Sequence, residues 1–200
     1  MASRIRFTNA KQVFETYPDL AETVTEPEAD ADPGAFALEL KEGDAPYSAL
    51  AYFAHLLPKR ESVWWGMKCV SGLDTNKSAD DHHVLALSEA WVREGDEEAR
   101  AAVHAAAEAT KADSAAVWIG LAAGWSGGSL SPNPDHRVDM PDGLTAKAVN
   151  TAVLIALGSL GPQEREEALE ACLSAGLTFA KGAAMPPVSI RTPMTFEARI

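Results

Sequence analysis

The sequence predicts an all-α protein of about eight helices, packed as an orthogonal multi-helix array or as stacked helical hairpins. Alanine dominates the apolar residues, and it is the best intrinsic helix former. Apolar residues recur at helical spacing, and no stretch alternates apolar and polar residues as a half-buried strand does. A chain of 200 residues with 46% hydrophobic content can bury one substantial core. A true repeat protein is the alternative, but no self-similar motif recurs.

The N-terminal region, residues 1–46, predicts one short helix followed by an acidic linker. Residues 8–17 have helical apolar spacing and end before Pro18. Residues 25–46 are acidic and interrupted by prolines, so we expect an exposed linker with a weakly structured middle at 36–40. We expect the charge of this linker to serve solvation rather than recognition.

Residues 47–182 predict the helical core domain, in which seven segments have helical periodicity. These segments are 47–57, 60–73, 79–92, 97–110, 115–125, 145–157 and 162–182. The segment 145–157 is apolar on nearly every side, so we expect it to be the central helix. The inner stripe of 97–110 is almost entirely alanine, which predicts close contact between helices.

The C-terminal region, residues 183–200, predicts an extended tail interrupted by prolines. Its apolar residues Ile190, Met194 and Phe196 could exchange with a second copy of the chain, which gives a possible homodimer through the tail.

The charge of the chain limits its partners. The formal net charge is −12, from 29 acidic and 17 basic residues, which argues against nucleic acid and against an anionic membrane surface. We expect the charge to serve solubility, with attraction to a basic partner as the alternative. No apolar signal region follows Arg4 and Arg6, and the longest apolar run, 152–158, is too short to cross a bilayer. We therefore expect a cytoplasmic protein.

The sequence predicts no metal and no cofactor. His82 and His83 are adjacent, so on a helix their side chains point about 100° apart, which does not suit a shared metal ion. Cys69 and Cys172 have apolar neighbours, and we expect two buried free thiols. No phosphate-binding loop, calcium loop or dinucleotide motif occurs.

One catalytic pattern is present. Gly124–Gly128 satisfies G-x-S-x-G around Ser126, and Asp135 and His136 follow in the order of an α/β-hydrolase triad. In that fold a strand enters the serine turn, whereas here a helix enters and a loop of residues 127–143 leaves. A serine-dependent hydrolase is therefore only an alternative, and it requires Ser126 and a base within hydrogen-bonding distance in a pocket.

Two tryptophan motifs are candidate binding sites. Trp64 and Trp65 are adjacent and cannot share one side of a helix. We expect Trp64 to be buried and the Trp65 side to be available to a partner, with Arg60 and Glu61 as a charged rim. The second motif is a turn whose residues could serve packing or binding. It consists of Trp125, Ser126, Gly127, Gly128 and Ser129.

Three segments together resemble a known family: LPKRESVWWGMKCV, SEAWVREGDEEARAAVHAAAEAT, and GLAAGWSGGSLSPNP followed by GLTAKAVNTAVLIAL. The chain resembles, over residues 47–182, small bacterial proteins catalogued only as a domain of unknown function, some of which are associated with type VI secretion gene clusters. The resemblance implies an accessory or adaptor role, and it brings no catalytic residues to this chain. The recurring positions that it implies here are Pro58, Arg60, Glu61, Trp64, Trp65, Trp91, Arg100, Trp125, Ser126, Gly127, Gly128, Ser129 and Pro132.

Three hypotheses follow. The first is a helical protein-interaction module, acting as an accessory or adaptor of a bacterial secretion system, with an unknown protein partner. That partner would meet the Trp65 side, the loop 127–141 or the tail. The second is the hydrolase, and the third is a structural subunit that self-associates. The sequence favours a binding protein over an enzyme.

Overall fold

The computed structural model describes residues 2–74, 76–131, 133 and 135–190, and all its regular elements are helices. The helices are α1 (Lys11–Thr16), α2 (Pro33–Glu42), α3 (Ser48–Leu56), α4 (Lys59–Leu73), α5 (Ala79–Glu94), α6 (Glu97–Ala109), α7 (Ala115–Gly124), α8 (Leu144–Gly158) and α9 (Pro162–Ala180). A 3₁₀ helix, Pro18–Glu22, follows α1. Within the described ranges the only β pairing is an isolated antiparallel bridge between Ser129 and Asp139. The predicted all-α fold is confirmed.

Four helices, α2, α5, α6 and α7, begin where a side-chain cap accepts hydrogen bonds from the first backbone N–H groups. Ser78 and Asp81 form a capping box at α5. Ser114 accepts a hydrogen bond from the backbone N–H of Val117 at α7, and the Asp81 carboxylate accepts one from the Ser114 hydroxyl. Asp81 therefore connects the N-termini of two neighbouring helices.

Helix α7 is the central helix. It packs against α4, α5, α6 and α8, and none of its residues is exposed. The expectation that residues 145–157 form the centre is wrong, because α8 leaves Lys147 and Leu154 exposed. Gly120 explains the position of α7: a Cβ atom at Gly120 would lie 2.5 Å from Val84 Cγ1 and 2.9 Å from Ala107 Cβ. The absence of a side chain lets α5 and α6 approach the α7 backbone closely.

The expected exposed linker is wrong over residues 33–42, which form α2. Asp32 caps this helix by accepting hydrogen bonds from two backbone N–H groups, and Pro33 occupies its first turn. Phe36 is only 3% exposed and packs edge-on against Tyr52, with 5.0 Å between ring centroids. The acidic composition of the segment led to the prediction of a linker, whereas one face of this short helix packs in the core.

The first residues of the described chain lie beside the C-terminus of α9. The backbone N–H of Arg4 donates to the carbonyl of Ala180 at 2.8 Å, and its guanidinium donates to the carbonyls of Phe179 and Ala183. Cations near the last carbonyls of a helix are favoured by the helix dipole. Arg4 therefore caps α9 from the opposite end of the chain.

The segment after α9 contains no helix or strand as far as Ile190. Val188 is buried and passes over Gly72 of α4, where a Cβ atom would lie 2.0 Å from the Val188 carbonyl oxygen. Met194 and Phe196 lie outside the described residues, so the exchange of the tail between two copies stays a prediction.

None of the described helices combines the length and the apolar character needed to cross a membrane. Both cysteines are free and buried in the core.

We expect Gly120→Ala to destabilise the protein because the added methyl group would overlap Val84 and Ala107. The expected loss is about 1–3 kcal/mol of unfolding free energy, at roughly 2–4 °C of Tm per kcal/mol for a chain of this size. Thermal unfolding followed by circular dichroism measures the effect.

Gly158→Ala is the matched control, since no heavy atom lies within 4 Å of the Cβ added there. The Tm of this variant should equal that of the wild type or exceed it slightly. Equal Tm values for the two variants would contradict the role of Gly120.

Candidate functional site

A groove surrounds the N-terminus of α4, where the first residues of the chain meet the end of α9. Three connected depressions form it, and all of them share Glu61. We call this surface the Arg60 groove and define it by Arg4, Arg6, Arg60, Glu61, Trp64 and Phe179. Among the residues predicted as a binding site, the groove brings together Arg60, Glu61 and Trp64.

The turn before α4 fixes the orientation of this helix. Pro58 has the extended backbone of an N-cap residue, with φ −56° and ψ 151°, and α4 begins at Lys59. The buried hydroxyl of Ser62 donates to the carbonyl of Ala54 in α3 at 2.8 Å. Because this bond links two successive helices, it holds the first turn of α4, and with it Arg60, in a fixed place.

Arg60 is exposed and lies against the turn between α5 and α6. Gly95 ends α5 with φ 74°, and a Cβ atom there would be 2.4 Å from Nη1 of Arg60. Glycine is favoured at such a positive φ, and here it also leaves room for the guanidinium. Within the described ranges, Arg60 forms no salt bridge and no side-chain hydrogen bond, so its charge is not neutralised by another side chain.

The two adjacent tryptophans have the opposite orientation to the one expected. Trp65 is fully buried: its indole N–H donates to the carbonyl of Cys172 at 2.9 Å, and its ring packs edge-on against Phe53. Trp64 is half-buried, lines the groove, and has the Lys68 ammonium 4.1 Å from its ring centroid. The expectation that Trp64 is buried and that a partner meets the Trp65 side is therefore wrong.

Helix geometry explains this orientation. Trp65 lies one turn before Cys69, on the face of α4 that packs against α9, whereas Trp64 lies one turn from Arg60 and Lys68. The charged residues four positions before and after Trp64 mark it as the outer ring. This spacing is visible in the sequence and was the signal that could have assigned the two rings correctly.

Two arginines of the groove were missed by sequence reasoning. The guanidinium of Arg4 stacks on Phe179, 4.0 Å from the ring centroid, while Arg6 is exposed. Only the tertiary contact between the start of the chain and the end of α9 brings them to α4. In the sequence they precede Phe7 without any motif that indicates a site.

Glu61 is the acidic member of the groove. It is half-buried and lines all three depressions, beside Arg4, Arg6 and Arg60. It forms no salt bridge with any of these cations in the part of the chain that the structure describes. Lys59, at the outer edge, is paired instead with Asp142 at 3.0 Å.

His55 is buried beneath the edge of the groove, under Tyr17. Its ring packs edge-on against Tyr17 at 5.0 Å, and Nδ1 lies 2.8 Å from the carbonyl of Ala51. That contact assigns the proton to Nδ1 and leaves Nε2 as an acceptor, with no hydrogen-bond partner among the described residues. Burial, with a smaller contribution from the positive charge of Lys147, lowers the pKa of His55.

The second tryptophan motif is a packed turn between α7 and the following loop. The Trp125 ring is half-buried and packs edge-on against Trp118, with centroids 6.2 Å apart. Gly128 has φ 83°, and a Cβ atom there would lie 2.7 Å from Nη2 of Arg100. Arg100 is held in turn by two hydrogen bonds to the Glu97 carboxylate, at 2.6 and 2.7 Å.

The glycines of this turn therefore have packing roles. The His104 ring lies against Gly124, where a Cβ atom would be 2.4 Å from Cδ2. Gly127 and Ser129 are half-buried and, like Trp125 and Gly128, do not line the Arg60 groove. The structure does not bring the two tryptophan motifs together in one site.

The hydrolase arrangement is not formed by the described residues. Helix α7 enters the serine turn, Ser126 is half-buried, and Asp135 and His136 are exposed. No hydrogen bond joins the Ser126 hydroxyl to either side chain in the ranges described. The G-x-S-x-G spacing is accounted for by the close contacts of Gly124 and Gly128.

The described residues contain no group of three or more histidine, cysteine, aspartate and glutamate side chains arranged to hold a metal ion.

A comparison with protein families identifies the chain. Residues 36–180 match a model described as "Family of unknown function (DUF6931)", which spans well over half of the chain. The chain therefore belongs to this family. No curated protein and no solved structure matches it. The matched region contains Arg60, Glu61, Trp64 and Phe179, whereas Arg4 and Arg6 precede it.

We expect Trp65→Ala and Trp64→Ala to have very different effects on stability. Trp65 is fully buried and hydrogen-bonded, so its loss should cost about 3–5 kcal/mol of unfolding free energy. Loss of the half-buried Trp64 should cost about 1 kcal/mol. Urea unfolding monitored by circular dichroism measures both values. An equal loss in the two variants would contradict the assigned orientation.

We expect acid destabilisation that depends on His55. The pKa of His55 is lowered in the folded state and about 6.5 in the unfolded state, so the unfolded state binds the proton first. The free energy of unfolding should therefore fall as the pH decreases below about 6.5, until the folded-state pKa is passed.

Urea midpoints between pH 7.5 and 5 measure this slope. His55→Gln should reduce it, while His83→Gln, at an exposed position of α5, should leave it unchanged. A slope unaffected by His55→Gln would contradict the prediction.

Proposed function

We propose that this member of the DUF6931 family is a helical protein-interaction module and that its partner binds in the Arg60 groove. The observation that carries the proposal is an exposed arginine, Arg60, that has no side-chain partner among the described residues and lies beside the half-buried Trp64. Tryptophan and arginine are the residues most enriched among those that dominate binding energy at protein interfaces. A surface that keeps both of them accessible on a fixed helix is suited to recognition.

The fixed position of these two side chains adds to the argument. Arg60 lies on Gly95 and Trp64 lies against Lys68, while the hydrogen bond from Ser62 holds the helix below them. Ordering long side chains on binding costs about 0.5–1.5 kcal/mol each. Side chains that are already supported by neighbouring residues lose less of this free energy.

The setting that we propose is a bacterial cytoplasm, with the protein as an accessory or adaptor of a type VI secretion system. This part of the proposal rests on the resemblance of the three tryptophan- and glycine-containing segments to small bacterial proteins associated with such gene clusters. The absence of a membrane-spanning helix among the described helices is compatible with it. Neither the hydrolase nor the self-associating subunit gains support from a particular contact.

Affinity capture with Arg60 variants tests the proposal. The full-length protein and the variants Arg60→Ala and Trp64→Ala would be used to capture partners from cells that express the secretion genes. Arg137→Ala is the control, because Arg137 is also exposed but lies on the loop after α7, where it pairs with Asp139. We expect the wild type and the control to retain the partner and each groove variant to lose about tenfold in affinity.

The variant Arg137→Ala also tests the loop after α7 as the alternative docking surface. If Arg137→Ala loses the partner and Arg60→Ala keeps it, the loop is the docking surface and the proposed role of the groove is wrong. A captured component of the secretion apparatus, identified by mass spectrometry, would support the adaptor role. A partner that belongs to no secretion system would contradict that role.

A further inference from the structure

We infer that the Arg60 groove binds an acidic peptide segment of the partner, with an apolar side chain of that segment against Trp64. This inference rests on the function proposed above and adds the chemistry of the ligand. The overall charge of −12 would attract a basic partner, but the local charge of the groove has the opposite sign. Recognition depends on the local charge, because screening limits the reach of distant charges to about 8–10 Å.

Four cations line the three depressions, and two of them are engaged whereas two are available. Arg4 donates to the carbonyls at the end of α9, and Lys59 pairs with Asp142. Arg6 and Arg60 are both exposed and form no side-chain hydrogen bond or salt bridge among the described residues. Two arginines therefore remain to bind anionic groups of a ligand.

Arginine is well suited to carboxylates, since its planar guanidinium can donate two parallel hydrogen bonds to one carboxylate. Arg6 and Arg60 line the same depression, with Glu61 also on its wall. Two separate acidic side chains of an extended peptide can thus meet two separate guanidinium groups. This arrangement favours a peptide with spaced acidic residues over a single small anion.

The apolar part of the groove adds a second requirement. Trp64, Val92 and Phe179 line the depression that Arg60 shares with Arg4. Trp64 and Val92 are half-buried, so part of their apolar surface still contacts solvent. A ligand with an apolar residue beside its acidic residues would cover this surface, and removing apolar area from water favours binding.

The same features disfavour nucleic acid. The phosphates of a nucleic acid would extend beyond the groove, and the net negative charge of the rest of the protein would repel them. A short peptide places its carboxylates only where the arginines lie. The apolar patch at Trp64 and Val92 would also stay uncovered by a phosphate backbone.

Glu61 should weaken the binding of an acidic peptide to the groove. Its carboxylate lies on the wall of all three depressions and has the same sign as the ligand. It therefore repels the acidic segment and, at the same time, reduces the repulsion among the arginines in the free protein. Removing its charge should strengthen binding of an acidic peptide.

Fluorescence anisotropy with a defined peptide probe tests the inference. The probe is a labelled ten-residue peptide with glutamates spaced around one phenylalanine, titrated with the full-length protein at low salt. We expect Arg60→Glu and Arg6→Glu each to weaken binding at least about tenfold. Glu61→Gln should strengthen it about three- to tenfold, and Arg137→Glu, the charge-matched control, should change it less than about twofold.

Three comparisons would overturn the inference. The first is equal binding of a peptide in which glutamine replaces every glutamate. The second is tighter binding of a single-stranded oligonucleotide of the same charge, which would indicate a general polyanion site. The third is absence of binding by wild-type protein whose circular dichroism and Tm show that it is folded.

Photo-crosslinking separates failure of this inference from failure of the proposed function. A photoreactive phenylalanine derivative at position 64, which keeps an aromatic ring in place of the Trp64 indole, should crosslink the partner found by affinity capture. If it does so while the acidic probe does not bind, the groove is an interaction site and only the acidic character of its ligand is wrong. If position 64 yields no crosslink although the partner is captured, the groove itself is not the docking surface.

Discussion

Close approach of helices through glycine and alanine is the constraint on which this structure depends. Gly120 admits α5 and α6 to the backbone of α7, and Gly66 admits α8 to α4, where a Cβ atom would lie 2.6 Å from Val149 Cγ1. Gly176 likewise leaves room for Phe53 and for the indole of Trp65. Dense packing of this kind gives a rigid interior. The Arg60 groove is built on that interior, since α4 is held by α3, α7 and α8.

The helices themselves could be predicted from the sequence because their ends have local chemical signals. Ser78 with Asp81, Ser114 and Pro162 each start a helix where expected, and the core helices agree with the predicted segments within a few residues. Helix α2 was missed for a physical reason. Its short amphipathic face is embedded in an acidic stretch, and burial of Phe36 against Tyr52, a contact between distant segments, stabilises it.

The candidate site was predictable only in part, since its residues come from both ends of the chain. Arg60, Glu61 and Trp64 lie within one helical turn, so a local pattern could identify them. Arg4 and Phe179 are separated by most of the sequence and come into contact only in the folded chain. The predicted burial of Trp64 and Trp65 was the reverse of the observed one, because residue type alone does not decide which ring is buried. The neighbours at four-residue spacing decide it.

The contact of Arg4 with the last carbonyls of α9 joins the start of the described chain to the end of its last helix. Helix ends normally fray, and the final turn of α9 would do so more readily if the first residues were removed. The groove contains one residue from each of these two segments, Arg4 from the start of the chain and Phe179 from the end of α9. A molecule that occupies the groove would contact both of these segments, so we expect its binding to slow proteolytic cleavage at the start of the chain and at the end of α9.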